Sequence, residues 1–248
     1  MHRRSLFQSS NPYFSEKRFA QATDSVLDAS YETMTVSGAV NKSFLLGAVL
    51  LAAGAYSFTS GNALLTWGGA IAALVLAIIA SFRPEKSAIW APLFAVFEGL
   101  FVGGVTSMYA ALFDGIIFKA ITLTFAVFFV MLALYRSGLI KVTPSFRSGV
   151  MMATFGVFLL YMVNIFLGFF GINMPMLHEA SPIGLLLSLG ILAIASLNLL
   201  LDFDMFDKGE QHGAPAFMEW FAAMGLIITL VWIYLEILRI LAIFSGRK

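Results

Sequence analysis

Apolar runs of helical length fill the chain from about residue 43 to residue 244, broken only by short polar or glycine-containing segments. Each run is close to the about 20 residues a helix needs to cross the hydrocarbon of a bilayer. The pattern predicts seven spans, roughly 44–60, 63–82, 88–110, 115–135, 149–171, 182–203 and 217–244. The punctuation is chemically distinct: FRPEKS divides the second span from the third, and YRSGLIKVTPSFRSG divides the fourth from the fifth. Ser181-Pro182 is a good start for the sixth, because proline is preorganised for the first helical turn. The expected fold is all-α, a polytopic membrane protein built as a seven-transmembrane-helix bundle.

Composition agrees with this pattern. The 248 residues are 60% hydrophobic and 12% charged, with a mean hydropathy of +0.89, more apolar surface than a soluble core of this length can hide. The formal net charge of +1 conceals an asymmetry. Arg3, Arg4, Lys17, Arg18 and Lys42 precede the first span, Arg83 and Lys86 follow the second, and Arg136, Lys141 and Arg147 follow the fourth. Lys208 follows the sixth, whereas the opposite connections SGNA, ALFDG and GINMPMLHEAS carry no Lys or Arg. The positive-inside rule then predicts a cytoplasmic N-terminus and, after seven crossings, a C-terminus outside. The expected organisation is a cytoplasmic arm over 1–42, with a short surface helix around SEKRFAQATDSVLDASYETM, followed by a membrane domain over 43–248. The first residues lack an apolar core and are not expected to be a cleavable signal.

Polar groups inside spans are costly and point to ion paths, relays or buried pairs. Glu236, in WIYLEILRILAIF, lies eight residues before Phe244, about 12 Å of helix rise. Arg239 at i+3 can neutralise it along the same helix face. Asp202 and Asp204 lie toward the end of the sixth span, and their i, i+2 spacing puts them on different faces, so one is expected to point inward. Glu98 interrupts the third span beside Gly99, Gly103 and Gly104, small residues that allow close helix approach. It suits either an interhelical hydrogen bond or the wall of a cavity. Asn164 and Asn198 are expected to bond neighbouring helices, and Glu219 beside Trp220 reads as an interfacial residue with an aromatic anchor.

Several chemistries find no support. No basic block with interleaved aromatics suggests nucleic acid. The chain has no cysteine, so disulfides and thiolate chemistry are absent. His2, His178 and His212 fall outside the spans, which leaves an intramembrane zinc hydrolase without ligands. The seventh span has no lysine for a retinal Schiff base, and LDFD lacks the GxGD partner of an aspartyl intramembrane protease. No Walker A, GxSxG or HExxH pattern is present. Neither an enzyme nor a bound cofactor is expected.

The last two spans resemble those of the transmembrane Bax inhibitor motif family, in particular its bacterial branch. Asp202, Asp204 and Phe206 match the aspartate, polar and apolar sequence that ends the family's sixth helix. Tyr234-Leu235-Glu236-Ile237-Leu238 matches the motif of its seventh, with glutamate in place of aspartate, and Arg239 falls among the residues that commonly follow. The resemblance implies a central seventh helix, a proton-sensitive carboxylate pair between helices six and seven, and calcium leak across the membrane. Carried over, the pair is Asp202 and Glu236, with Arg83 or Lys86 as the basic latch. Two carboxylates in a low dielectric share a proton and titrate together; deprotonation would drive them apart and admit Ca²⁺, a hard cation that prefers oxygen ligands. Depth sets a condition on this pair. Asp202 is about 30 Å of rise beyond Pro182, whereas Glu236 looks mid-membrane, and if they cannot meet, Glu98 becomes the better partner for Glu236.

Two readings follow. One is a pH-sensitive cation leak channel of the inner (plasma) membrane, passing Ca²⁺ along Asp202, Asp204, Glu98 and Glu236, with Asp202 and Glu236 as transient metal ligands. The other is a membrane interaction protein that modulates a partner complex, such as a quality-control protease, and uses its carboxylates structurally. A channel requires a continuous polar path; an interaction protein can keep a dry core.

Overall fold

The computed structural model describes residues 32–171 and 182–246. Among them are seven helices long and apolar enough to cross a membrane: α1 (Val36–Ser60), α2 (Ala63–Phe82), α3 (Ser87–Leu112), α4 (Ile116–Arg136), α5 (Pro144–Phe169), α6 (Pro182–Gln211) and α7 (Phe217–Ser245). A short 3-10 turn, Pro84–Lys86, joins α2 to α3. The protein is a polytopic all-α bundle.

Three boundaries differ from the hydropathy reading, each for a local reason. α1 begins at Val36, inside the stretch read as an arm, because the Thr35 side chain accepts from the Gly38 amide and caps it,. α5 begins at Pro144, with Thr143 accepting from Phe146 N–H. α6 does not stop near Asp202 but continues through the polar sequence to Gln211. Lys208 pairs with Asp204 one turn earlier at 2.8 Å, and Tyr135 of α4 donates to Asp207 at 2.7 Å. The acidic residues are therefore not at a helix C-terminus, where the macrodipole would oppose them. The surface helix expected before residue 35 lies outside the described residues, except that Glu32 to Met34 are not helical.

α7 is the central helix. Buried residues occupy 56% of its apolar window, against 11% for α5, and it packs on α1, α3, α4 and α6. α1, α2 and α3 form a tight block. Gly103 lies against the backbone of Gly54, Gly99 against Leu50 and Gly104 against Thr66, with no room for a methyl group at any of the three. The glycine seam read after Glu98 is thus the surface on which α1 and α2 close. Little hydrophobic force separates helices from lipid tails, so such close backbone contact is how membrane helices gain packing energy. α5 is the opposite case. It packs substantially on α6 alone and buries only Val150 and Val157.

Candidate functional site

The carboxylate of Glu236 is buried at the wall of a cavity of about 570 Å³ between α3, α5 and α7. Tyr161 of α5 donates to Oε2 at 2.9 Å, and Arg239 donates to Oε1 at 3.3 Å. The same guanidinium nitrogen donates to the Tyr161 hydroxyl at 2.9 Å. Glu236, Arg239 and Tyr161 thus close a three-membered ring of hydrogen bonds. Ser188 of α6 approaches the carboxylate from another side without closing a hydrogen bond. The rest of the cavity wall is largely aromatic, with Phe101, Tyr109 and Phe113 from α3 and Trp232 from α7, while Asn164 faces it from α5. The i+3 pairing expected between Glu236 and Arg239 is present.

Asp202 and Asp204 do face different directions. Asp202 points at α7, where Gly225 leaves room for its Oδ1 and Thr229 is its polar neighbour. Its Oδ2 is buried and makes no hydrogen bond. Asp204 points toward α5, where it pairs with Arg147, and it also holds Lys208.

The expected Asp202–Glu236 contact is not formed. Thr229, the level at which Asp202 meets α7, is seven residues before Glu236, about 10 Å of rise. Between the two levels α7 carries Ile233, buried in one apolar cluster with Ala195 and Leu199 of α6. Among the described residues the two carboxylates share neither a proton nor a joint Ca²⁺ site, and no group of three or more acidic or histidine side chains could hold a metal. The two carboxylates thus lie at different depths along the antiparallel α6–α7 pair, the mismatch that the depth condition made decisive. Glu98 does not replace Asp202. It lines a separate pocket of about 180 Å³ with Ala70, Leu74 and Ile228, and Phe101 stands between that pocket and the Glu236 cavity.

The latch residues also differ from those carried over by resemblance. Arg83 and Lys86 are exposed at the α2–α3 turn, which lies against α7, and form no ion pair among the described residues. Arg147 and Lys208 pair with Asp204, and Arg239 pairs with Glu236. Asn198 bonds as expected, donating to Thr154 of α5 at 2.8 Å.

A second polar cluster gathers at the end that carries the basic loops. Glu219, read as an interfacial residue, is buried and accepts from Thr35 N–H at 2.8 Å and from the Thr35 hydroxyl at 3.0 Å. It also pairs with Lys42, whose ammonium lies 5.4 Å from the centre of the Trp220 ring. Val36 N–H donates to Glu210 at 3.1 Å. Met34 N–H donates to Ala214 O and Ala216 N–H donates to Glu32 O, giving an antiparallel bridge between Thr33 and Pro215. Residues 32–36 therefore form a strap across the α6–α7 connection, with the Met34 side chain buried against Gly209. Sequence reasoning missed the strap, although Thr35 three residues before Gly38 was a readable helix cap.

No individual curated protein matches the chain. A family model described as Bax inhibitor 1 like matches residues 11–246, nearly the full length. With its seven helices around a central α7, the chain belongs to the Bax inhibitor 1 like family.

Proposed function

We propose that the protein is a cation leak channel, captured closed, that passes Ca²⁺ and responds to pH. The observation that carries this reading is the placement of Asp202 and Glu236 on one α6–α7 seam at two depths, with Glu236 facing a cavity and Asp202 keeping a buried, unbonded oxygen. Each offers a single carboxylate. Ca²⁺ takes six to eight oxygen ligands, so one carboxylate makes a weak station, suited to transit and not to storage. The apolar contact of Ala195, Leu199 and Ile233 is the barrier between stations. The basic connections, including Arg83, Lys86, Lys141 and Arg147, support an orientation with the N-terminus cytoplasmic and the C-terminus outside the inner membrane. The reading assigns no catalytic residues.

The pH response takes the opposite sign from that of a shared proton. Ionised Glu236 holds Arg239 and Tyr161; neutral Glu236 is a weaker acceptor for both, since bonds to a charged group are the stronger ones. Acid then loosens the seam. The test is Ca²⁺ influx into proteoliposomes from about pH 8 to about pH 5, a range in which buried carboxyls titrate. Flux should rise as pH falls, Glu236→Gln should leak at every pH, and Asp202→Asn should lower flux throughout. Folded protein with no flux above empty liposomes at any pH sinks the channel.

One observation favours a second reading. The dry seam and the strap together suit an interaction protein that docks a membrane partner at the α6–α7 connection. Such a protein would show no flux yet require Glu219 and Met34 for partner binding, which co-purification of Glu219→Gln and wild type would reveal.

A further inference from the structure

The inner face of α5 follows a seven-residue repeat that its composition hides. Arg147, Thr154 and Tyr161 are spaced seven apart, with Val150 and Val157 between them. A seven-residue spacing keeps side chains on one seam of a helix. Each polar member crosses to α6 or α7: Arg147 to Asp204, Thr154 to Asn198 and Tyr161 to Glu236 and Arg239. The opposite face, including Met152, Phe155 and Phe166, is exposed, as are Met151 and Phe158 beside the stripe.

The other helices close differently. α1, α2 and α3 meet backbone to backbone along glycines, and α7 is enclosed by apolar neighbours. Packing of that kind resists stepwise separation because interiors are dense. Among the described residues α5 has two small buried valines and three polar contacts to α6 and α7. Interhelical hydrogen bonds in a bilayer are individually weak, so the contacts of α5 can be undone one at a time.

We infer that α5 is the movable wall of the proposed leak, and that Tyr161 is the positioning residue pinning it to Glu236. The inference rests on the leak reading and adds which helix moves. Glu236 faces Arg239 on its own helix, Tyr161 on α5, Tyr109 on α3 and Ser188 on α6. Of these, Tyr161 alone belongs to a helix without extensive packing on α7. Protonation of Glu236 weakens this pin while Arg147 and Thr154 still hold the other end, so α5 swings out at the cavity and stays hinged at the basic loops.

The absence of native cysteine permits a clean test. A single Asn164→Cys places a reporter on the cavity wall, and its reaction with a small polar maleimide measures exposure in proteoliposomes. Taken relative to a free thiol at the same pH, because the reacting thiolate becomes scarcer in acid, labelling should speed up as pH falls. Tyr161→Phe should raise the rate at neutral pH roughly three- to tenfold, the scale expected for one or two interhelical hydrogen bonds in a bilayer. Glu236→Gln should fix it at the acid value. Separately, Tyr161→Cys with Arg239→Cys, joined at the cavity end by a short bis-maleimide, should stop flux, and the same pair left uncrosslinked should leak at neutral pH. Labelling unaffected by pH and by Tyr161→Phe, or undiminished flux after crosslinking, overturns the movable wall even where wild-type leak is present. Labelling that follows the prediction without any flux keeps the wall and removes the leak, so the two readings fail separately.

Discussion

The two ends of the α6–α7 pair are built on different principles. At the basic end, the strap, Glu210, Glu219, Lys42, Asp204, Arg147 and Lys208 join α1, α5, α6 and α7 through several independent polar contacts, and Asp207 adds α4 through Tyr135. At the other end, among the described residues, a ring of three side chains, Glu236, Arg239 and Tyr161, spans a cavity and links α5 to α7. Redundant contacts tolerate the loss of one member, whereas within the ring the link to α5 runs through Tyr161. The contrast assigns the basic end a holding role and the cavity end a moving one.

The comparison breaks most directly at Glu219. Glu219→Ala leaves Lys42 and the Thr35 amide without their acceptor in a buried setting, and should cost about 2–3 kcal/mol, the scale of lost charge-assisted hydrogen bonds. Thermal unfolding in detergent checks it, and cleavage by added protease before residue 36 should quicken in parallel. A smaller loss, about 1–2 kcal/mol, is expected for Asp204→Asn, because Arg147 and Lys208 are both partly exposed and regain water. Tyr161→Phe should lower stability by less than about 1 kcal/mol, while changing cavity exposure and flux more than either basic-end substitution. That inversion of order is the sharpest form of the comparison: an unfolding midpoint that drops more for Tyr161→Phe than for Glu219→Ala would reverse the two roles. Arg83→Gln and Lys86→Gln should lie within about 0.5 kcal/mol of wild type and leave the pH profile of flux unchanged, since neither side chain pairs with a carboxylate among the described residues.

Much of the fold was legible because hydrophobic length is a strong one-dimensional signal. All seven helices lie where apolar runs predicted them, and the glycine seam of α3 was visible beside Glu98. The boundaries that moved did so at polar residues, where Thr35 and Thr143 capping or the Asp204–Lys208 pairing extends a helix beyond its apolar stretch. The site was harder to read. Sequence identified Asp202, Glu236 and Arg239, but not that the α6–α7 seam between the two acids is apolar, which depends on relative depth and on helix rotation. Tyr161 and Arg147 were missed because each is unremarkable alone. Their signal is the spacing of seven with Thr154, visible once α5 is taken as a helix with one narrow inner stripe.

Helix length has a consequence of its own. α2 and α4 have 20 and 21 residues, about 30 Å each, which matches the hydrocarbon thickness of an ordinary bilayer. α6 and α7 have 30 and 29 residues, close to 45 Å each, and the excess carries the strap and its acidic partners. Bilayer thickness therefore acts on two rulers within one molecule: the short helices fix the depth of the bundle, and the long pair accommodates mismatch by tilting. A thinner membrane should alter the crossing of α6 over α7 without any change in ligand or pH, making the distance between Asp202 and Glu236 a mechanical property of the lipid.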